Sequence, residues 1–284
     1  MRQKLQAFAK AILLLVILFS PLCHSDFTMR SISVFIRINQ DGSANIEEKF
    51  TIMLNGSSRQ IYEDTRAVFS DLATWRERTG LSEVRHHISR AYADIKNLRV
   101  LPQAIERCNP YLDLCHATLI LTYEVPASKQ GSGLVKVDWY KPRTAKYSIQ
   151  TPALSFEQTR TGDLILPPNT NIVFAIPPIA EKIYFSSLPF NIAEEDESQF
   201  RYDYTSNLRY YIGKERVFSW KGDTLSKFQF TFEIEYPLET EAIEFFKEAQ
   251  AAVLGLFLGQ DGLAAILLFA AAAASLYYFN RLEK

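Results

Sequence analysis

Lys227-Phe228-Gln229-Phe230-Thr231-Phe232-Glu233-Ile234-Glu235-Tyr236 decides the fold class. In an extended chain Phe228, Phe230, Phe232, Ile234 and Tyr236 share one face, and Gln229, Thr231, Glu233 and Glu235 share the other. Alternation with a period of two means one buried face and one wet face, the habit of a strand in an antiparallel sheet. Pro237 ends the strand, because proline brings no N–H to the ladder.

The same alternation recurs at the front of the chain. Ile32, Val34, Ile36 and Ile38 alternate with Ser33, Phe35 and Arg37, Gln40-Asp41-Gly42-Ser43 supplies a turn, and Ala44 to Leu54 returns as the partner strand. Further strands are predicted at Ala117 to Val125, Gly162 to Leu166, Asn171 to Ile176, Lys182 to Phe185, Phe200 to Tyr204, Leu208 to Ile212 and Arg216 to Trp220. Helical pattern between these strands is confined to Glu63 to Arg78, with Gly80 placed for a left-handed C-terminal residue. Ala127-Ser128-Lys129-Gln130-Gly131-Ser132-Gly133 is polar and glycine-bearing, and it marks an internal boundary or a long hairpin loop. The fold class expected is mainly β: an antiparallel β-sandwich, single or two in tandem, with one inserted helix and a C-terminal transmembrane helix.

The two ends of the chain carry apolar runs of opposite meaning. Met1-Arg2-Gln3-Lys4 and Lys10 precede an unbroken apolar run from Ala11 to Phe19, and Cys23-His24-Ser25 resembles a cleavage site; these are the parts of a secretory signal peptide. Gly262 to Phe279 carries no charge and ends in Tyr277-Tyr278-Phe279 with Arg281 and Lys284 beyond, the pattern of a helix leaving a bilayer on the cytoplasmic side. At about 1.5 Å per residue that run is about 27 Å long, close to one hydrocarbon thickness. The organisation predicted is a signal peptide over 1–25, a first β domain over 26–126, a linker or long hairpin loop over 127–144 and a second β domain over 145–238. A membrane-proximal helix over 239–261, a transmembrane helix over 262–280 and a cytoplasmic tail over 281–284 complete it. The N-terminal region is thereby expected outside the cytoplasm, on a single-pass anchor in the cell membrane. Asp261 is expected at the outer interface, because a charge at the bilayer centre costs roughly 2.5–3.5 kcal/mol on insertion scales. Gly255 with Gly259, and Ala270 with Ala274, have the small-xxx-small spacing that lets helices pack closely against a partner membrane protein.

Charge and motif content exclude several functions. The 31 basic and 32 acidic residues leave a net charge of −1, which gives neither a nucleic-acid footprint nor a polybasic lipid tail. Cys108 and Cys115 flank six residues in a chain expected to be exported, so a structural disulfide closing a hairpin is expected. A loop this short contributes roughly 2–3 kcal/mol in the chain-entropy model. His86 and His87 are adjacent and point to opposite faces of a strand, and no further zinc ligands accompany them. Glu194-Glu195-Asp196-Glu197 reads as a solvated loop without the ligand spacing of a calcium site. Glu47 and Glu48 face opposite ways on one strand and do not form an acid–base pair. No nucleophile elbow, phosphate loop, dinucleotide fingerprint or zinc-protease helix is present, and no cofactor is expected. Asn55-Gly56-Ser57 is a glycosylation sequon at a predicted turn.

The opening hairpin, Ile38-Asn39-Gln40-Asp41-Gly42-Ser43-Ala44-Asn45-Ile46-Glu47-Glu48, resembles the start of a broad archaeal and bacterial family of predicted membrane proteins of unknown function. Phe218-Ser219-Trp220-Lys221-Gly222, leading into the strand at Phe228, is similar to the end of that family's exterior regions. The resemblance implies a β-rich exterior region ahead of membrane helices, and no activity. Two functions follow as expectations. One is a membrane-tethered module that binds or scaffolds an envelope component or another membrane protein. The other is an envelope enzyme acting on glycan or peptide.

Overall fold

The structure, a computed structural model, describes residues 27–237 apart from 110, 129–132, 194–196, 205 and 223, together with 247 and 250. It opens with the predicted hairpin, β1 (Thr28–Ile38) and β2 (Ala44–Asn55). The turn between them is closed by Asn39 N–H on Ser43 O at 2.8 Å and by Asp41 Oδ1, which accepts from Ser43 N at 2.9 Å and Ser43 Oγ at 2.6 Å. Gly42 sits at φ +83, and a Cβ there would come within 2.7 Å of Val137 Cγ2, so glycine is required twice over.

Where a single helix over 63–78 is predicted, there are two: α1 (Gly56–Val68) and α2 (Leu72–Thr79). The break falls at Phe69–Asp71. Asp71 explains it, because its carboxylate accepts from Thr74 N at 2.8 Å and caps a new helix, which also pulls the Asp71 carboxyl below its ordinary pKa. α2 ends on Gly80 at φ +67, as its position in the sequence predicts.

Fourteen strands follow: β3 (Lys96–Pro102), β4 (Glu106–Asn109), β5 (Leu114–Val125), β6 (Val135–Lys141), β7 (Thr144–Ile149), β8 (Glu157–Gln158), β9 (Leu164–Ile165), β10 (Thr170–Ala175), β11 (Ala180–Phe185), β12 (Phe200–Asp203), β13 (Leu208–Tyr211), β14 (Val217–Lys221), β15 (Thr224–Leu225) and β16 (Phe230–Glu235). One large sheet runs β14-β10-β1-β2-β5-β3, with β4 also on β5. The other runs β12-β13-β11-β16-β7-β6, and β15-β9-β8 form a small third sheet. Pairing is antiparallel except between β1 and β10, which run parallel from Ile32↔Thr170 to Arg37↔Ala175.

The two large sheets meet across one core of aromatic rings. Phe230 of β16 lies 5.3 Å from Phe174 of β10 and 5.5 Å from both Phe218 and Trp220 of β14, centroid to centroid. Phe230, Phe232 and Ile234 are fully buried, as the alternation predicts. The strand itself starts later than read, at Phe230, because Lys227 turns at φ +42 and gives its N–H to Asp163 Oδ1 at 3.0 Å.

The predicted division at 127–144 does not separate two sandwiches. β10 and β14, both from 145–238, pair into the sheet that carries β1, β2 and β5 from 26–126. The linker segment itself contains β6, an edge strand with only Val135 buried; with so little burial it shows no alternation to read. Among the described residues no helix is long and apolar enough to cross a membrane. The signal peptide over 1–25, the transmembrane helix over 262–280 and the packing residues Gly255, Gly259, Ala270 and Ala274 lie outside the described residues. So does the membrane-proximal helix, apart from the helical Lys247 and Gln250.

Candidate functional site

The cysteine pair meets as expected. Cys108 and Cys115 are joined in the hairpin of β4 and β5, with Cα atoms 4.0 Å apart. Asn55 is not at a hairpin tip: it is the last residue of β2 and stands at the N-terminus of α1, where its Oδ1 accepts from Ser58 Oγ at 3.2 Å. Of the acidic run only Glu197 is described, opening a 3-10 turn. Among the described residues no group of three or more His, Cys, Asp or Glu is placed to hold a metal ion.

A polar cluster lies where the sequence reading placed none. Glu48 and His87 are 0 % and 3 % exposed, and the Glu48 carboxylate takes three donors. His87 N–H reaches Oε1 at 2.6 Å, His87 Nδ1 reaches Oε2 at 2.6 Å, and the Tyr123 hydroxyl donates to Oε1. The imidazole is stacked between Phe50 and Phe156, at 5.9 and 4.9 Å. Burial and then the Glu48 charge hold the Tyr123 phenol well above its ordinary pKa, so it stays a donor. The signal for this cluster was present in the alternation. Glu48 falls in phase with the buried Ile46, Phe50 and Ile52 and therefore points inward.

A carboxylate orienting an imidazole is two-thirds of a hydrolytic triad. The missing part is the nucleophile: among the described residues no Ser, Thr or Cys side chain hydrogen-bonds to His87, although His87 borders a hollow of about 470 Å³. The cluster links four parts of the fold. Ser155 N–H donates to His87 O at 2.8 Å and Ile88 bridges to Leu154, so the carboxylate ties β2, β5, the 81–95 segment and the 153–156 segment together.

A cleft at the far end of the six-stranded sheet has a different character. It encloses about 730 Å³ between β11, β12, β13 and the 212–216 turn, and its wall carries Tyr202, Tyr204, Tyr210 and Tyr211 with Lys182, Arg201 and Asp203. Tyr204 is 88 % and Tyr202 45 % exposed. Their rings meet edge to face at 5.0 Å, and the Tyr202 hydroxyl donates to Asn207 Oδ1, which holds that ring in place. Tyr210 meets Tyr184 at 6.3 Å. Arg216 is committed to structure, donating to Gly213 O at 2.7 Å and Pro178 O at 3.1 Å. Rigid phenol rings with two rotatable bonds, flanked by charges of both signs, suit binding.

No family model and no curated relative matches the chain. Among solved structures, it is compared with the Mu homology domain of Fcho1 from Danio rerio with bound Eps15 peptide, at 10 % identity over 74 % of this chain and 78 % of that one. The TM-score is 0.17, an overlap that carries no argument about fold or function.

Proposed function

We propose that the chain is an exported, single-pass membrane-anchored β-sandwich that acts as a binding or scaffolding module at the cell envelope, and that the tyrosine cleft is its binding surface. The observation that carries this reading is the cleft itself: an open hollow whose wall carries two exposed, mutually braced tyrosines, Tyr202 and Tyr204, beside charges of both signs. Such walls bury large amphipathic area at low entropic cost when a partner closes over them. The exported location rests on the signal-like start, the apolar run from Gly262 to Phe279 and the cysteine pair, which persists as a disulfide in oxidising compartments. For the enzyme reading the nearest feature is the buried Glu48–His87 pair, to which no Ser, Thr or Cys side chain hydrogen-bonds among the described residues.

The test is photo-crosslinking of the full-length protein in intact cells. A photoreactive phenylalanine at Tyr204 should yield a discrete adduct, and the same probe at Lys49, exposed on the opposite sheet, should not. Tyr202→Ala should abolish the Tyr204 adduct. Equal or absent labelling at both positions would sink the proposal.

A further inference from the structure

The end of the domain from which the chain leaves is built differently from the rest of its surface. β16 finishes at Glu235 opposite Thr144, Tyr236 N–H donates to Arg143 O at 2.8 Å, and Arg143 pairs with Glu235 at 2.9 Å. The exit therefore lies beside the tip of the β6–β7 hairpin, which reads Trp139-Tyr140-Lys141-Pro142-Arg143. The turn of the first hairpin is at the same end, because Gln40 O accepts from both the Tyr236 hydroxyl, at 2.9 Å, and the Tyr147 hydroxyl.

Trp139 and Tyr140 are 56 % and 47 % exposed. Trp139 is stiffened by packing on Tyr236 at 5.1 Å, and Lys141 Nζ lies 5.4 Å from the centre of the Tyr140 ring. A core plug would explain the contact with Tyr236 but not the indole surface left in water. Two flat amphipathic rings, Tyr140 with its hydroxyl held by Glu233, followed by Lys141 have the chemistry of a bilayer headgroup layer, where aromatic rings sit at the polar boundary and a cation meets lipid phosphate; Arg143 is already paired with Glu235.

We infer that the β6–β7 hairpin tip rests on the outer leaflet of the bilayer and holds the domain against the membrane beside its own anchor. This inference rests on the anchored reading above. It fits the sequence outside the structure: the chain goes on from Pro237 to the apolar run at Gly262, whose near side, Gln260-Asp261, offers no Trp or Tyr for that interface. If helical and upright, the connector 238–261 would hold the domain about 36 Å off the surface at about 1.5 Å per residue. The inference requires it to lie flat.

The protein carries its own probe. Its three tryptophans are Trp75 and Trp220, 0 % and 2 % exposed, and the half-exposed Trp139. Full-length protein should be reconstituted in phosphatidylcholine–phosphatidylglycerol vesicles with and without dibrominated acyl chains. We expect the brominated lipid to quench tryptophan emission, Trp139→Phe to remove that lipid-dependent loss, and Lys141→Glu, with Trp139 kept, to weaken it. Emission that brominated lipid leaves unchanged while aqueous iodide still quenches Trp139 would overturn the inference and leave the anchor intact. A chain that washes off the vesicles in alkaline carbonate would overturn the anchored reading as well.

Discussion

Glu48 faces the opposite way from Glu47 on β2, and in the alternation of that strand it is an inward residue whose charge needs donors. His87 and Tyr123 supply them from 39 and 75 positions away, which no local pattern encodes. Removing one donor leaves the carboxylate underserved, so Tyr123→Phe should cost about 1–3 kcal/mol, read as a lower unfolding midpoint in urea. The same residue sets a pH dependence. Its folded pKa lies above the unfolded value of about 10, so this contribution is complete below pH ~10 and is lost as pH rises beyond it. Tyr62 and Tyr147, raised by burial, act in the same direction. Stability of the wild type should fall above pH ~10, and Tyr123→Phe should flatten that decline; an unchanged slope would count against the cluster.

At the scale of elements, legibility followed burial only in part, for β7 alternates with Ala145, Tyr147 and Ile149 buried and was not predicted, while the unburied β12 was. β1, β2, β5 and β16 were readable because each has one dry and one wet face, and alternation is what that geometry leaves in a sequence. β6 was hidden because an edge strand exposed on both sides leaves no such trace, and β3 because it buries only Val100. The helix pair was half legible: Gly80 marked the end, while the break at Asp71 depended on a cap whose residue type was visible but whose role was not. The cleft was illegible, because its tyrosines come from separate short strands and look like ordinary strand formers. The cysteine hairpin, by contrast, was legible from spacing together with the expected export of the chain. Its bond closes a short loop, so reduction should lower stability by roughly 2–3 kcal/mol. Peptide mapping without reductant should show Cys108 linked to Cys115, and two alkylatable thiols in protein from its native membrane would refute the pairing.

At the scale of the molecule, β1, β2 and β5 set the long axis. Asn55 pairs with Leu114 at one end and Ala44 with Val125 at the other, a run of about 36 Å at about 3.3 Å per residue. The cysteine loop and the start of α1 stand at the first end, and the chain leaves from the second. An anchored protein would thus present the cysteine loop, with Tyr111 95 % exposed, farthest from the bilayer. The account stands or falls on which side of the membrane this domain lies. The direct measurement is labelling of single cysteines, in a Cys23→Ser background, by a membrane-impermeant maleimide on sealed spheroplasts. Lys214→Cys, exposed on the β13–β14 turn, should label in sealed spheroplasts, and Glu283→Cys in the tail only after lysis. Protection of Lys214→Cys with labelling of Glu283→Cys would contradict the account.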